Sequence, residues 1–202
     1  MLNIRQADEG DIPALYDLYA QIGQKDEGDF EALFGKDCII LIASKSTSSS
    51  SCGLTTGSHK GGRDTAIKSQ YDGAFVDVGF GILNFEPKYT LYKKLEIPEI
   101  QDLNVIPDAR QQGIATALVE AFEDLTRDQG LASIGISVGL TKDYGPAQRL
   151  YCKLGYMPDG NGIAYDRECV TYQQSYPADD DLCLMMIKDL RVHKYLCVEE
   201  EG

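Results

Sequence analysis

A chain of 202 residues exceeds the roughly 150 residues of a common domain, so one domain with an insertion or a tail is expected. Apolar residues make up 43 % and charged residues 25 %, an ordinary globular balance that at this length closes a core without staples. Asp plus Glu outnumber Lys plus Arg by 32 to 19, a net charge of -13, which argues against a phosphate-backbone partner and against an anionic membrane surface.

No run approaches 18 apolar residues, so no transmembrane helix is expected. The start, Met1-Leu2-Asn3-Ile4-Arg5, reaches charge at once and has no secretory signal pattern. The expected location is therefore cytoplasmic, with the six cysteines reduced. None of Cys38, Cys52, Cys152, Cys169, Cys183 and Cys197 forms a CxxC pair, and the two histidines, His59 and His193, stand far from any cysteine pair. Zinc-ligand spacing is absent, and no metal is expected.

Taken in chain order, Ile4–Ala7 reads as a short strand. Asp11 and Pro13 open a helix carried by Ile12, Leu15, Leu18, Tyr19 and Ile22, and Gly23 stops it. Phe30–Phe34 reads as a second, short helix. Cys38–Ala43 is a β-branched apolar run too short for a helix, hence a buried strand. A Ser/Gly-rich insertion follows near 45–72, with little to bury.

Strand character returns at Ala74 and continues through Leu83. There Gly79 and Gly81 suggest a bulge or a close backbone approach. Glu99–Ile106 is a strand closed by Pro107. From Ile114, the residues Ala115, Leu118, Val119, Phe122 and Leu125 share a helical face that ends at Gly130. Ala132–Val138 alternates as a strand. Ala147, Leu150, Tyr151 and Leu154 mark another helix, stopped by Gly155.

Tyr156-Met157 begins a strand, with a turn over Pro158–Gly162. Leu182–Ile187 is the last strand, after Asp179-Asp180-Asp181, which reads as a solvated turn rather than a metal site. Residues 191–202 form an acidic tail. The order β-α-α-β-β-β-α-β-α-β-β describes a mixed α/β sheet with helices packed on it.

The chemistry-bearing stretch runs from Val105 to Ala115. A strand enters a turn carrying Arg110 and Gly113 and then an amphipathic helix. First-turn amides lack intrahelical partners, and the dipole leaves positive charge there, so an anion such as a pyrophosphate fits. A plain strand-to-helix turn accounts for the spacing equally well. The segment is not a P-loop, since no Gly-Lys-Ser/Thr follows.

Arg110-Gln111-Gln112-Gly113-Ile114-Ala115 resembles the R/Q-x-x-G-x-G/A signature of the GCN5-related N-acetyltransferases, the GNAT superfamily. Leu103-Asn104-Val105-Ile106-Pro107 resembles the strand before that signature. Ala147–Tyr156 resembles the family's A-x-x-(F/L)-Y-x-x-x-G-(F/Y) helix, and Ile4–Leu15 its opening strand and helix.

The resemblance implies one acyltransferase domain over residues 1–190. Its fold would be a mixed, mostly antiparallel sheet with a splayed centre and helices on both faces. It further implies acetyl-CoA as acyl donor, the pyrophosphate held at Gln111, Gln112, Gly113, Ile114 and Ala115 beside Arg110, and the thioester beside Leu103 and Val105. Tyr151 corresponds to the tyrosine that protonates the departing thiolate. Glu99 stands where some members place a base, and Asp102 is a second candidate. Where many members carry Asn, this chain has Tyr144.

Each assignment has a plainer alternative: Tyr151 as a core aromatic, Glu99 and Asp102 as solvated strand-edge carboxylates, Cys152 as a packing residue rather than a nucleophile. The expected activity is transfer of acetyl to a primary amine by direct attack, the acceptor being a small molecule or a protein amine. The alternative is a non-catalytic acyl-CoA-binding or regulatory module. A homodimer is left open.

Overall fold

The computed structural model describes residues 1–23, 29–46 and 75–191. The insertion near 45–72, apart from its first two residues, and the acidic tail beyond Arg191 lie outside the described residues. The described strands form one sheet in the order β1-β2-β3-β4-β5-β8-β6-β7. These are β1 (Leu2–Gln6), β2 (Cys38–Ser46), β3 (Phe75–Asn84), β4 (Glu99–Val105), β5 (Ser133–Gly139), β6 (Met157–Tyr165), β7 (Glu168–Cys169) and β8 (Leu182–Asp189). Every pairing is antiparallel except β4 with β5.

The helices are α1 (Ile12–Ile22), α2 (Phe30–Phe34), α3 (Thr90–Leu95), α4 (Ile114–Asp128) and α5 (Gly145–Lys153). Strand alternation decides which side each one covers. In β2, Leu41 and Ala43 join a core with Leu118, Val119 and Phe122 of α4 and Tyr151 of α5. Ile40 and Ile42 face the other way and pack with Leu15, Leu18 and Phe30 of α1 and α2. A third core, on that same side, joins Tyr89 and Tyr92 around α3 to Cys183 and Met185 of β8. Helices therefore cover both faces, as the resemblance implies.

Three details depart from the sequence reading. α3 has no signal in a stretch of mixed polarity; it is pinned from outside, since Tyr92 is fully buried and its hydroxyl donates to the Met186 carbonyl at 2.6 Å. Its ring lies against Gly135, where an added Cβ would come within 2.2 Å of it. Second, Pro158–Gly162 is not a turn after a strand but a bulged part of β6, whose register against β8 shifts between Pro158 and Ile163. Third, Asp11 does not cap α1 with its side chain. That carboxylate instead holds Arg5 at 2.6 Å and accepts from the Asp8 amide.

The centre of the sheet positions the site. β4 and β5 are paired only at Glu99–Gly135 and Ile100–Ile136, although β4 runs on to Val105 and β5 to Gly139. Beyond those pairs the two strands separate, leaving unpaired strand edges facing each other. The cause is local. Asp102 has φ +47, a left-handed conformation unusual for a non-glycine residue, and the β3–β4 register shifts beside it. Gly81 makes room, since a Cβ there would meet Phe122 at 2.9 Å and Leu103 at 3.1 Å. At Gly79 a Cβ would come within 2.7 Å of the Asn104 carbonyl. The bulge and the close approach expected from these glycines are both present. Among the described residues no helix is long and apolar enough to cross a membrane.

Candidate active site

β4 ends at Val105, one residue short of the expected Ile106, because the chain turns into a 3-10 segment over Pro107–Ala109. Arg110 Nε donates to the Val105 carbonyl at 3.0 Å, fastening the loop to the strand end. Gln112 donates to the Asp108 carbonyl and accepts from Lys45 of β2. Gln111 and Gly113 both take left-handed conformations, with φ of +60 and +80. A Cβ on Gly113 would meet nothing within 4 Å, so the glycine answers to the backbone angle and to whatever approaches from outside.

α4 makes its first backbone bond from the Ala117 amide to the Gly113 carbonyl. Among the described residues the amides of Gln111, Gln112, Gly113, Ile114, Ala115 and Thr116 find no acceptor. A run of free amides at the positive end of a helix of this length is a cradle for phosphate oxygens. The exposed Arg110 adds charge beside it. These residues fit a pyrophosphate group.

Leu103 and Val105 pack against the α4–α5 core beside Val138 of β5, at the mouth of the opened strands. Tyr151 belongs to the same core and is 6 % exposed. Its ring centroid is 6.2 Å from that of Tyr156. Among the described residues nothing hydrogen-bonds its hydroxyl, and burial, with a smaller contribution from Tyr144, pushes that phenol up to about 12. Its proton is therefore held at neutral pH.

Tyr144 packs over Gly139 at the end of β5, where a Cβ would come within 2.4 Å of its ring. Burial first, then the Asp180 carboxylate, pushes its phenol up to about 12, and the charge of Asp102 adds to the rise. An aromatic ring thus occupies the place for which the resemblance implies Asn. The carbonyl of Gly139 is taken by Gln148 at 2.8 Å.

The two candidate bases have different environments. Glu99 is fully buried and so is not a solvated strand-edge group. One oxygen accepts from Arg167 Nε and the other from Gln101, each at 3.1 Å. Asp102 is solvent-accessible yet surrounded by protein, as a carboxyl on the floor of an open cleft is. That surrounding raises its pKa above the usual carboxylate range, against the pull of Arg167. Asp102 is thus within electrostatic reach of Arg167 on one side and of Tyr144 on the other. The fold brings Asp102, Tyr144 and Tyr151 together around the parted strands.

Arg167 carries no motif in the sequence. It sits in the turn between β6 and β7, where Asp166 and Arg167 have φ of +48 and +64. Such a two-residue hairpin turn usually carries Asn-Gly or Asp-Gly, so Asp-Arg gives no motif to read. Cys152 is an exposed free thiol. In the Asp179–Asp181 run, Asp179 accepts from the Tyr165 hydroxyl and from the Asp181 amide, a turn leading into β8.

Comparison with known proteins agrees with this geometry. Residues 67–156 match the acetyltransferase (GNAT) family model. No curated protein matches the chain. Among solved structures, a ribosomal-protein alanine N-acetyltransferase from Escherichia coli is similar with a TM-score of 0.61 and 16 % identity, over 97 % of this chain and 98 % of that one. The yncA protein from Salmonella typhimurium, solved with its cofactor acetyl-CoA, has a TM-score of 0.58 and 14 % identity, over 96 % of each chain. A chimera of the spermidine N-acetyltransferase SpeG from Vibrio cholerae has a TM-score of 0.58 and 13 % identity, over 94 % of this chain and 96 % of that one. At these identities the likeness is one of fold. The chain has the GNAT fold, and its residues 67–156 match the model of the acetyltransferase (GNAT) family.

Proposed function

We propose that this chain is an N-acetyltransferase that moves an acetyl group from acetyl-CoA to a primary amine by direct attack, within one domain over residues 1–190. The observation that carries the reading is a conjunction: the strands part beyond Ile100 and Ile136, and the free amides of Gln111–Thr116 begin just past the end of one of them. A thin acyl-pantetheine arm fits the first feature, and a pyrophosphate fits the second.

Bound acetyl-CoA supplies an already activated thioester, so no enzyme nucleophile is required. Arg110 and the loop amides hold the phosphates. Leu103 and Val105 flank the acyl end and exclude water. Asp102, through a water, takes the proton that the attacking ammonium must lose. For a lysine-like amine of pKa near 10.4, the neutral form at pH 7 costs about 4–5 kcal/mol, so a base beside the amine has a definite task. The nitrogen bonds to the acetyl carbon as the carbon–sulfur bond breaks. The departing sulfur takes a hydrogen bond, and then a proton, from Tyr151, and the second proton that the nitrogen sheds as the amide forms passes through solvent to restore the phenol. A phenol raised to about 12 lies roughly 3–4 units above a thiol. Its main contribution is therefore the hydrogen bond offered as charge builds on sulfur. Glu99, with both oxygens already taken, holds Arg167 in place rather than shuttling protons.

A non-catalytic acyl-CoA binder would use the same loop and strands but has no need of a cleft carboxylate, so Asp102 favours the transferase. The test is an amine panel with acetyl-CoA, read by released thiol and by product mass. A gain of one acetyl group on an amine, matched by thiol, is expected. Tight CoA binding with no thiol released from any amine would favour the binder.

A further inference from the structure

A cavity of about 290 Å³ opens beside the first residue of β4, between α3 and the β6–β7 turn. Its chemistry comes from Thr90, Lys94, Asn161, Arg167 and Glu168. Arg167 is the unusual member. Its side chain is 23 % exposed, and its Nε is committed to the buried Glu99. Among the described residues its two Nη groups meet no acceptor, and Lys94 has no ion-pair partner.

The opposite wall is already satisfied. Tyr89 donates to Asp159 at 2.6 Å, and Asn161 donates to both Tyr89 and Asp159. Those groups leave the Arg167 fork free. Among the described residues the exposed Glu168 is the one acidic side chain lining the cavity, with Asp159 engaged behind Tyr89 and Asn161. A guanidinium held by one edge, with its fork unused and an ammonium nearby, matches a carboxylate, which can take two parallel bonds from it.

We infer that this cavity binds a carboxylate of the acceptor, so that the amine acetylated by this chain belongs to a small amino acid. The inference rests on the N-acetyltransferase reading above and names its substrate class. Spacing narrows the class. Arg167 sits beside Glu99, and Leu103 lies four residues further along β4, or about 13 Å at the usual rise. Asp102 and the register shift beside it interrupt the regular rise between Glu99 and Leu103, so this length is an upper bound along the strand, and it exceeds what an α-amino group beside its own carboxylate can span. An amine about six bonds from its carboxylate, as in 6-aminohexanoate or the side chain of free lysine, covers most of that length with the hydrogen bond included. Glycine does not.

The experiment is calorimetric titration of the protein with 6-aminohexanoate and with 6-aminohexanamide, without acetyl-CoA. The acid is expected to bind at least about tenfold more tightly than the amide. Arg167→Gln and Lys94→Gln should each erode that preference. Lys94 is exposed, so Lys94→Gln keeps the test valid even if Arg167→Gln, which strands Glu99, fails to fold. Equal binding of acid and amide, absence of binding by both, or a preference that survives Lys94→Gln and any foldable Arg167→Gln overturns the inference. Adding acetyl-CoA separates it from the transferase reading. A preference for the acid without thiol release defeats transfer alone, whereas acetylation of amines with no preference for the acid defeats the carboxylate site alone.

Discussion

The two ends of β4 solve opposite problems. At its start the strand is paired on both sides, and Glu99 is fully buried against Arg167 and Gln101. At its end it has left β5, and a loop of free amides follows. The closed end gains rigidity from side chains contributed by distant parts of the chain. The open end gives up strand hydrogen bonds, and that loss is tolerable only where a ligand or water takes their place. Specific contacts therefore concentrate at the closed end, and generic backbone chemistry at the open one.

The largest effect that would test this contrast belongs to Tyr151 at the open end. Tyr151→Phe keeps the ring and removes the hydroxyl, which has no hydrogen-bond partner among the described residues. A fall in kcat of at least about tenfold is expected, toward the 10²–10⁴ that a positioned acid supplies. Acetyl-CoA affinity and the denaturation midpoint should hardly move. Preserved kcat would make Tyr151 a core aromatic and nothing more.

Asp102 sharpens the same end through pH. A base works ionised, and its surroundings raise the Asp102 carboxyl above the usual range. The rate should therefore climb with pH through a limb lying above that of an ordinary carboxylate. Asp102→Asn should remove this limb and lower kcat/KM by about tenfold near neutrality. An unchanged profile of kcat/KM against pH would assign proton removal elsewhere.

At the closed end the expected effect is on stability. Gly135→Ala would drive a Cβ to within 2.2 Å of the Tyr92 ring, itself buried and bonded to the Met186 carbonyl. Overpacking of this kind costs about 1–3 kcal/mol or more. Urea melts should show that loss for Gly135→Ala. A midpoint equal to that of the parent would mean that Tyr92 is free to move and the closed end is softer than its packing indicates.

The same contrast explains what the sequence shows. The loop at Arg110–Ala115 is legible because backbone geometry imposes its glycine and its helix start within six consecutive residues. The strands and helices with clean periodicity, such as β2 and α4, are legible for the same local reason. α3 is not, because Tyr92 is held by a carbonyl from β8 and a glycine from β5, both far along the chain. Arg167 is not, because its partner Glu99 lies 68 positions away and its turn has an uncommon sequence. The burial of Glu99 follows from that pairing, so the sequence could not distinguish it from a solvated strand-edge carboxylate.

At the open end, the free amides between Gln111 and Thr116 are proposed to hold the phosphates of acetyl-CoA. Gly113 has φ +80 and open space where a Cβ would stand, so valine there strains the backbone by about 1–2 kcal/mol and intrudes on a bound phosphate rather than on the protein. The measurement is calorimetric titration of CoA into the parent protein and into Gly113→Val, each checked for a cooperative melt. Tight binding to the parent is expected, with loss of most of that affinity in a folded Gly113→Val protein. Undiminished CoA binding by the folded variant would contradict it.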